Sequence, residues 1–373
     1  MKKTIARTDN SVLGRWWWSV DHFLLGALFV LLGMGIVLAF SATPPVAERL
    51  KLDSFFLLRH QAVFMVLSVI VMVGISMQTP QTIRRLSCAV LAFAFLLLVL
   101  VLIHGSEIKG SSRWIRLFGI SVQPSEIAKP AFAVVAAWLI SLGKQQEHFR
   151  GSLIAWGVFF VLGGLLICQP DFGMTFTVCI IFGTELFLGG LSLIWVYLLA
   201  PLLPIGTVCA YFLIPHVRSR IDRYLDPASG DTFQVRTAME AFRNGGFFGR
   251  GPGEGQIKNI LPDAHTDFIM AVAAEEYGLF FCLLLVAMFA VIILRGFYLI
   301  KDKNLFTLLA VSGLLVQFGL QALINIASSL SLIPTKGMTL PFISYGGSSL
   351  VSLGFGMGIV LALTRSTNTV KEN

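Results

Sequence analysis

The chain has 373 residues, of which 56% are apolar and 13% charged, where ordinary globular domains carry about 25% charged residues. The formal net charge is +8 and the mean hydropathy +0.81. This balance excludes a disordered chain, a disulfide scaffold and an ordinary soluble enzyme. It leaves a polytopic membrane protein, because each spanning helix needs about 20 mainly apolar residues.

Apolar runs predict ten helices, near 22–43, 56–77, 86–104, 124–142, 152–168, 172–189, 192–214, 266–294, 305–330 and 341–363. The expected fold is therefore an all-α polytopic membrane protein. The first run follows Lys2, Lys3, Arg7 and Arg15 as a signal peptide would. It has the length of a full span and lacks a good cleavage site, so it reads as an uncleaved helix. With both termini cytoplasmic, 13 basic residues fall at inner ends and 7 in the short outer loops, the bias that sets orientation. The domain reading is a tail over 1–21, a membrane domain over 22–363 and a tail over 364–373. A large extracytoplasmic loop, 215–265, lies between helices seven and eight. Cys88, Cys168, Cys179, Cys209 and Cys282 sit in or beside apolar runs without CxxC spacing, so neither a disulfide framework nor a zinc site is indicated.

Ionisable side chains at membrane depth are costly and so mark candidate sites. On helix four, Glu126 and Lys129 stand three apart and face each other, with Ser125 beside them and Pro124 suited to the first turn. They form a self-neutralising pair or a substrate-facing one. Asp171, between helices five and six, can cap the sixth helix or face a cavity. In the long loop, Val235, Ala238, Met239 and Phe242 make an amphipathic stripe, fit for the membrane surface or for packing on the bundle. The glycine-rich stretch 245–255 lacks the P-loop ending, and Arg250 and Lys258 next to it could meet an anion.

Asp267 opens helix eight, where the helix dipole favours an acid and where Asp263 or Thr266 could cap. Glu275 and Glu276 read as interhelical hydrogen-bonding groups deeper in the bundle. Gln317, Gln321 and Asn325 form a polar stripe on helix nine that must face other helices. Histidines do not cluster, and no dedicated metal site is indicated.

Six segments taken together resemble the SEDS (shape, elongation, division and sporulation) family, nearest to its cell-division member. They are Gly110-Ser111-Ser112-Arg113-Trp114-Ile115, Gln123-Pro124-Ser125-Glu126 with Lys129, Gln169-Pro170-Asp171-Phe172-Gly173, the glycine stretch 245–255, Leu261 through Ile269, and Pro334 through Ser349. Two departures are Asp263, where Glu is usual, and Ala327-Ser328-Ser329, where a Gly/Val stretch is usual. The resemblance implies a peptidoglycan glycosyltransferase in the bacterial cytoplasmic membrane at the division septum, with a periplasmic active site that uses lipid II. It implies Asp267 as the catalytic base. For the diphosphate, the candidates are Lys129 first, then Arg113 and Lys336, with Arg250 and Lys258. Ser125, His265, Thr266, Glu275, Gln321, Asn325 and Ser344 are candidates for supporting polar positions. A divalent cation (Mg or Mn) could assist the diphosphate. The implied partners are a class B penicillin-binding protein transpeptidase of the FtsI type, other divisome membrane proteins and membrane lipid, with no nucleic acid. A lipid II flippase and a non-catalytic divisome scaffold are the competing functions.

Overall fold

A computed structural model describes residues 11–108, 111–117, 120–146, 148–191, 233–334 and 337–366, with scattered positions between 205 and 222. Among the described residues, eight helices are long and apolar enough to cross a membrane, and a ninth apolar helix is shorter. In chain order the helices are α1 (Val12–Ser19), α2 (His22–Arg49), α3 (Phe56–Ser76), α4 (Pro80–His104), α5 (Pro124–Gln145), α6 (Gly151–Cys168) and α7 (Phe172–Leu188). They continue with α8 (Phe233–Gly245), α9 (Ile269–Leu299), α10 (Leu305–Ser329) and α11 (Gly347–Thr364). Nine of the ten expected spans correspond to these helices. The run 192–214 lies largely outside the described residues.

α5, α10 and α11 form the centre, with most of their residues buried. α2, α3, α4, α6 and α9 surround them and keep large apolar side chains such as Phe29, Val66, Phe93, Phe160 and Leu283 exposed, as a lipid-facing belt requires. α11 packs on α3 at backbone contact: a Cβ on Gly354 would come within 2.5 Å of the Ser68 carbonyl, and one on Gly358 within 2.7 Å of the Met72 carbonyl. This is the small-residue packing that lets helices approach in lipid.

The two described ends of the chain meet on one face. Ser366 N–H donates to the Ser19 carbonyl at 2.9 Å, and Arg365 donates to the Gln78 carbonyl at 2.8 Å. Asp21 pairs with Arg295 at 2.6 Å on the same side. The short helix α1 falls within the expected N-terminal tail; its indole Trp16 Nε1 donates to Ser76 Oγ at 2.8 Å.

On the opposite face, residues read as loop form a three-stranded antiparallel sheet, β1 (Ser106–Ile108), β2 (Ser111–Leu117) and β3 (Ile120–Val122). The last expected helix starts six residues late, because 341–346 is irregular chain and not helix. The amphipathic stretch is helical, as α8. It buries Thr237, Ala238, Ala241 and Gly245 against α9. Its small face therefore packs on the bundle, and the reading as a helix lying at the membrane surface gives way to that packing.

α9 is broken within its length. Gly278 has φ 78° and ψ −179°, a conformation natural only to glycine. The glycine loop enters the break: Leu279 N–H donates to the Gly246 carbonyl at 3.0 Å and Phe280 N–H to the Phe247 carbonyl at 3.2 Å. The backbone donors released by the break are thus satisfied without water.

Candidate functional site

The site is built on three elements at the sheet-bearing end: the start of α5, the turn before α9, and the chain 337–346, all tied together by α10. Asp263 (φ 54°) closes the turn, and its carbonyl accepts the N–H groups of Thr266, Asp267 and Phe268. Neither Asp263 nor Thr266 caps α9, whose N-cap is Phe268, without a side-chain hydrogen bond. Asp267 therefore stands two residues before the helix and is part-exposed.

Every carbonyl from 265 to 267 is held. His265 O accepts from Tyr345 N at 2.8 Å. Thr266 O accepts from Ser344 Oγ at 2.6 Å. Asp267 O accepts from Asn325 Nδ2 at 3.1 Å and Ser329 Oγ at 3.2 Å. Asn325 also donates to Met338 O at 2.6 Å. The carboxylate end of Asp267 lies beside Gly337, where an added Cβ would sit 3.4 Å from Oδ2. Lys336 is the preceding residue and lies outside the described residues.

One turn back along α10, Gln321 Oε1 accepts from Lys129 Nζ at 3.3 Å, and Gln321 Nε2 donates to the Thr339 carbonyl at 3.1 Å. Lys129 pairs with Glu126 at 3.1 Å and is fully buried. Ser125 is buried next to the pair. The α10 stripe thus ties the cation-bearing helix to the acid-bearing turn, about 6 Å apart along its axis. Gln317, the third member, is buried, and its Oε1 meets no donor among the described residues.

The sheet brings a second cation. Arg113 on β2 donates to the Pro170 carbonyl at 2.5 Å and lies 3.5 Å from Asp171. Asp171 caps α7 through Met174 N and accepts from Gln123 Nε2 at 3.4 Å. Burial pushes its carboxyl above the ordinary range, and Arg113 opposes that shift. Burial also lowers His265 from 6.5 to about 4, with Asp263 opposing it and Arg49 reinforcing it, so the imidazole is neutral at physiological pH.

Three expected site residues are placed elsewhere. Glu275 is fully buried and accepts the N–H groups of Gln256 (3.0 Å) and Ile257 (3.0 Å). It grips the long loop and not a neighbouring helix. Glu276 accepts from Gly253 N at 3.0 Å and pairs with Lys258 at 2.5 Å. Lys258 is thus held on the long loop by a buried ion pair, with two of its three N–H donors taken. Arg250 is exposed, and among the described residues its side chain donates only to the Asn244 carbonyl, at 3.4 Å. The reading of the sequence passed over Glu185 on α7. It is fully buried, its two oxygens meet no donor among the described residues, and it packs against Gly313 of α10. The signal was available, since it is an acid inside an apolar run. Among the described residues, no three His, Cys, Asp or Glu side chains converge as a metal site. The four described cysteines are free thiols.

Fold and site together define a multi-pass membrane protein with an acid-bearing turn and a buried, charge-balanced polar layer at one end of a helical bundle. The FtsW/RodA/SpoVE family model, described as a cell cycle protein, matches residues 22–369, and the chain belongs to that family. A Caulobacter vibrioides (strain NA1000 / CB15N) protein named probable peptidoglycan glycosyltransferase FtsW is 42% identical over 362 residues, 96% of this chain and 93% of that protein. A Trichlorobacter lovleyi protein of the same name is 36% identical, over 92% of this chain and 93% of its own. A solved structure, described as structural coordination of polymerization and crosslinking by a peptidoglycan synthase complex, contains a chain matching at TM-score 0.75 and 27% identity. The match covers 93% of this chain and 98% of that one. The Rod shape determining protein RodA of Thermus thermophilus matches at TM-score 0.70 and 26% identity, over 93% of this chain and 97% of its own.

Proposed function

We propose that this chain is a peptidoglycan glycosyltransferase that polymerises lipid II at the outer face of the cytoplasmic membrane during septal wall synthesis. The acceptor's GlcNAc 4-hydroxyl attacks the anomeric carbon of the donor MurNAc. The C–O bond to undecaprenyl diphosphate breaks with inversion, and the hydroxyl proton passes to a base. Asp267 is that base. The observation that carries this assignment is its placement: part-exposed, outside the helix, on a turn whose backbone is fixed from three sides. Its helix neighbours Glu275 and Glu276 are buried and consumed by the loop. A positioned base contributes about 10²–10⁴ in rate.

Arg113 and Lys336 supply positive charge for the departing diphosphate. Lys129, the first diphosphate candidate from the sequence, is buried and balanced by Glu126 and anchors the layer behind them. A divalent cation would bind mainly through the substrate's own phosphate oxygens. A class B penicillin-binding protein transpeptidase is the partner. The test is polymerisation of purified lipid II by the chain with its cognate transpeptidase, wild type beside Asp267→Asn. Polymer from the wild type alone supports the assignment. No polymer from a folded complex would return weight to the flippase or scaffold.

A further inference from the structure

A cavity of about 520 Å³ lies between the outer half of α2 and the loop 252–259, lined by Val37, Ser41, Pro44, Glu48, Lys258 and Tyr277 among others. Two of the lining residues are joined by a hydrogen bond between Ser41 Oγ and Tyr277 Oη at 3.3 Å. Tyr277 lies ten residues beyond Asp267, about 15 Å along α9, so this cavity is separate from the catalytic turn.

Pro44 and Pro45 stand inside α2. Proline carries no N–H. Phe40 therefore loses its donor at i+4, and Ser41 loses its donors at both i+3 and i+4. No side chain among the described residues donates to either carbonyl. A helical carbonyl projects toward residue i+4, so both oxygens lie beside the proline rings that line the cavity. Carbonyls that lose their regular helical donors in an apolar setting call for another donor. Glu48 is one turn further on the same face, is exposed, and its side chain leans back toward the helix start. Its neighbour Arg49 is turned away onto the Leu261 carbonyl, at 2.8 Å. Across the groove, Lys258 gives two of its three N–H donors to Gly253 O and Glu276. Val37 and Phe40 are 44% and 58% exposed and continue the lipid-facing belt.

We propose that this groove seats one membrane phospholipid with a primary-ammonium headgroup. The ammonium donates to the Phe40 and Ser41 carbonyls under the charge of Glu48, the phosphate meets the remaining Lys258 N–H, and one acyl chain runs along Val37 and Phe40. The acceptor-rich side selects a cationic donor over an anionic headgroup.

The test reconstitutes the full chain in bilayers mixing phosphatidylethanolamine and phosphatidylglycerol, then counts lipids retained in detergent by native mass spectrometry. Wild type retains one phosphatidylethanolamine in preference to phosphatidylglycerol. Glu48→Gln, and separately Pro44→Ala with Pro45→Ala, which restores two N–H donors, each lower its retention by about tenfold, the equivalent of one lost charge-assisted contact. Glu48→Gln alters only an exposed side chain and keeps the test decisive if the proline variant does not fold. Equal retention of the two lipids, or variants that retain phosphatidylethanolamine like wild type, would overturn the proposal. So would one-for-one displacement by a polyprenyl diphosphate, which would assign the groove to substrate.

Discussion

The two acidic stretches at the N-terminal end of α9 are eight residues apart and are held in opposite ways. At Asp267 the structure grips the backbone: Asn325 and Ser329 hold the carbonyl, and the side chain stands part-exposed on a turn. At Glu275 and Glu276 it grips the side chains, which are buried and bonded to loop N–H groups and to Lys258. Under the proposed function, carboxylates of similar chemistry serve two purposes. A group that moves a proton on a substrate needs an accessible head on a fixed base. A group that organises a loop needs its oxygens occupied and dry. The sheet shows the second pattern again, where Asp171 is spent on Arg113, Gln123 and the α7 cap.

This contrast separates chemistry from stability in mutants. The largest effect is expected at Asp267→Asn: lipid II polymerisation falls by about 10²–10⁴, while the thermal midpoint stays at the wild-type value because the carbonyl contacts survive. An unfolded variant would erase the distinction. Glu276→Ala should behave in the reverse manner. It strands Lys258 in a buried site and costs about 3–5 kcal/mol, read as a lowered midpoint, with residual activity tracking the folded fraction. Asn325→Ala sharpens the comparison. It removes the two donors to Asp267 O and Met338 O and costs about 1–3 kcal/mol. As a positioning residue it should lower kcat more than it raises KM, with Asn325→Asp failing to rescue because it restores no N–H.

The smallest effect concerns pH. His265 titrates near 6.5 when unfolded and about 4 when folded. Above pH 6.5 it is neutral in both states and contributes no pH dependence. As pH falls from 6.5 through 4, the unfolded chain takes up the proton first and stability is lost. His265→Gln should flatten that part of the midpoint-against-pH curve. An unchanged slope would mean that the ring is not held neutral by its surroundings.

Much of this arrangement was already visible in residue spacing. Glu126 and Lys129 three apart do form a pair, and Gln321 and Asn325 four apart do share one face, because helical periodicity is local and the bilayer forces helices wherever about 20 apolar residues run together. Pro124 opens α5 as its chemistry requires. Glu275 was misplaced because its partner is a loop backbone, and backbone N–H groups are equally available in any sequence. The sheet over 106–122 was missed because its strands are short and their pairing is set by contacts with the bundle. α8 was left undecided since its stripe fits lipid and protein alike; the small residues Ala238, Ala241 and Gly245 decided for protein.

The sequence by itself determined that this is a polytopic helical membrane protein of the SEDS type, and which polar residues sit at membrane depth. Apolar length and helical period act within a single segment, so no other part of the chain is needed to read them. Only the tertiary structure decided which of those polar groups face one another. It set Lys258 against Glu276, Lys129 against Gln321, and the Gly278 break against the loop that fills it. Those pairings join residues distant along the chain, and each exists because a buried charge or backbone group must find a partner where water is absent.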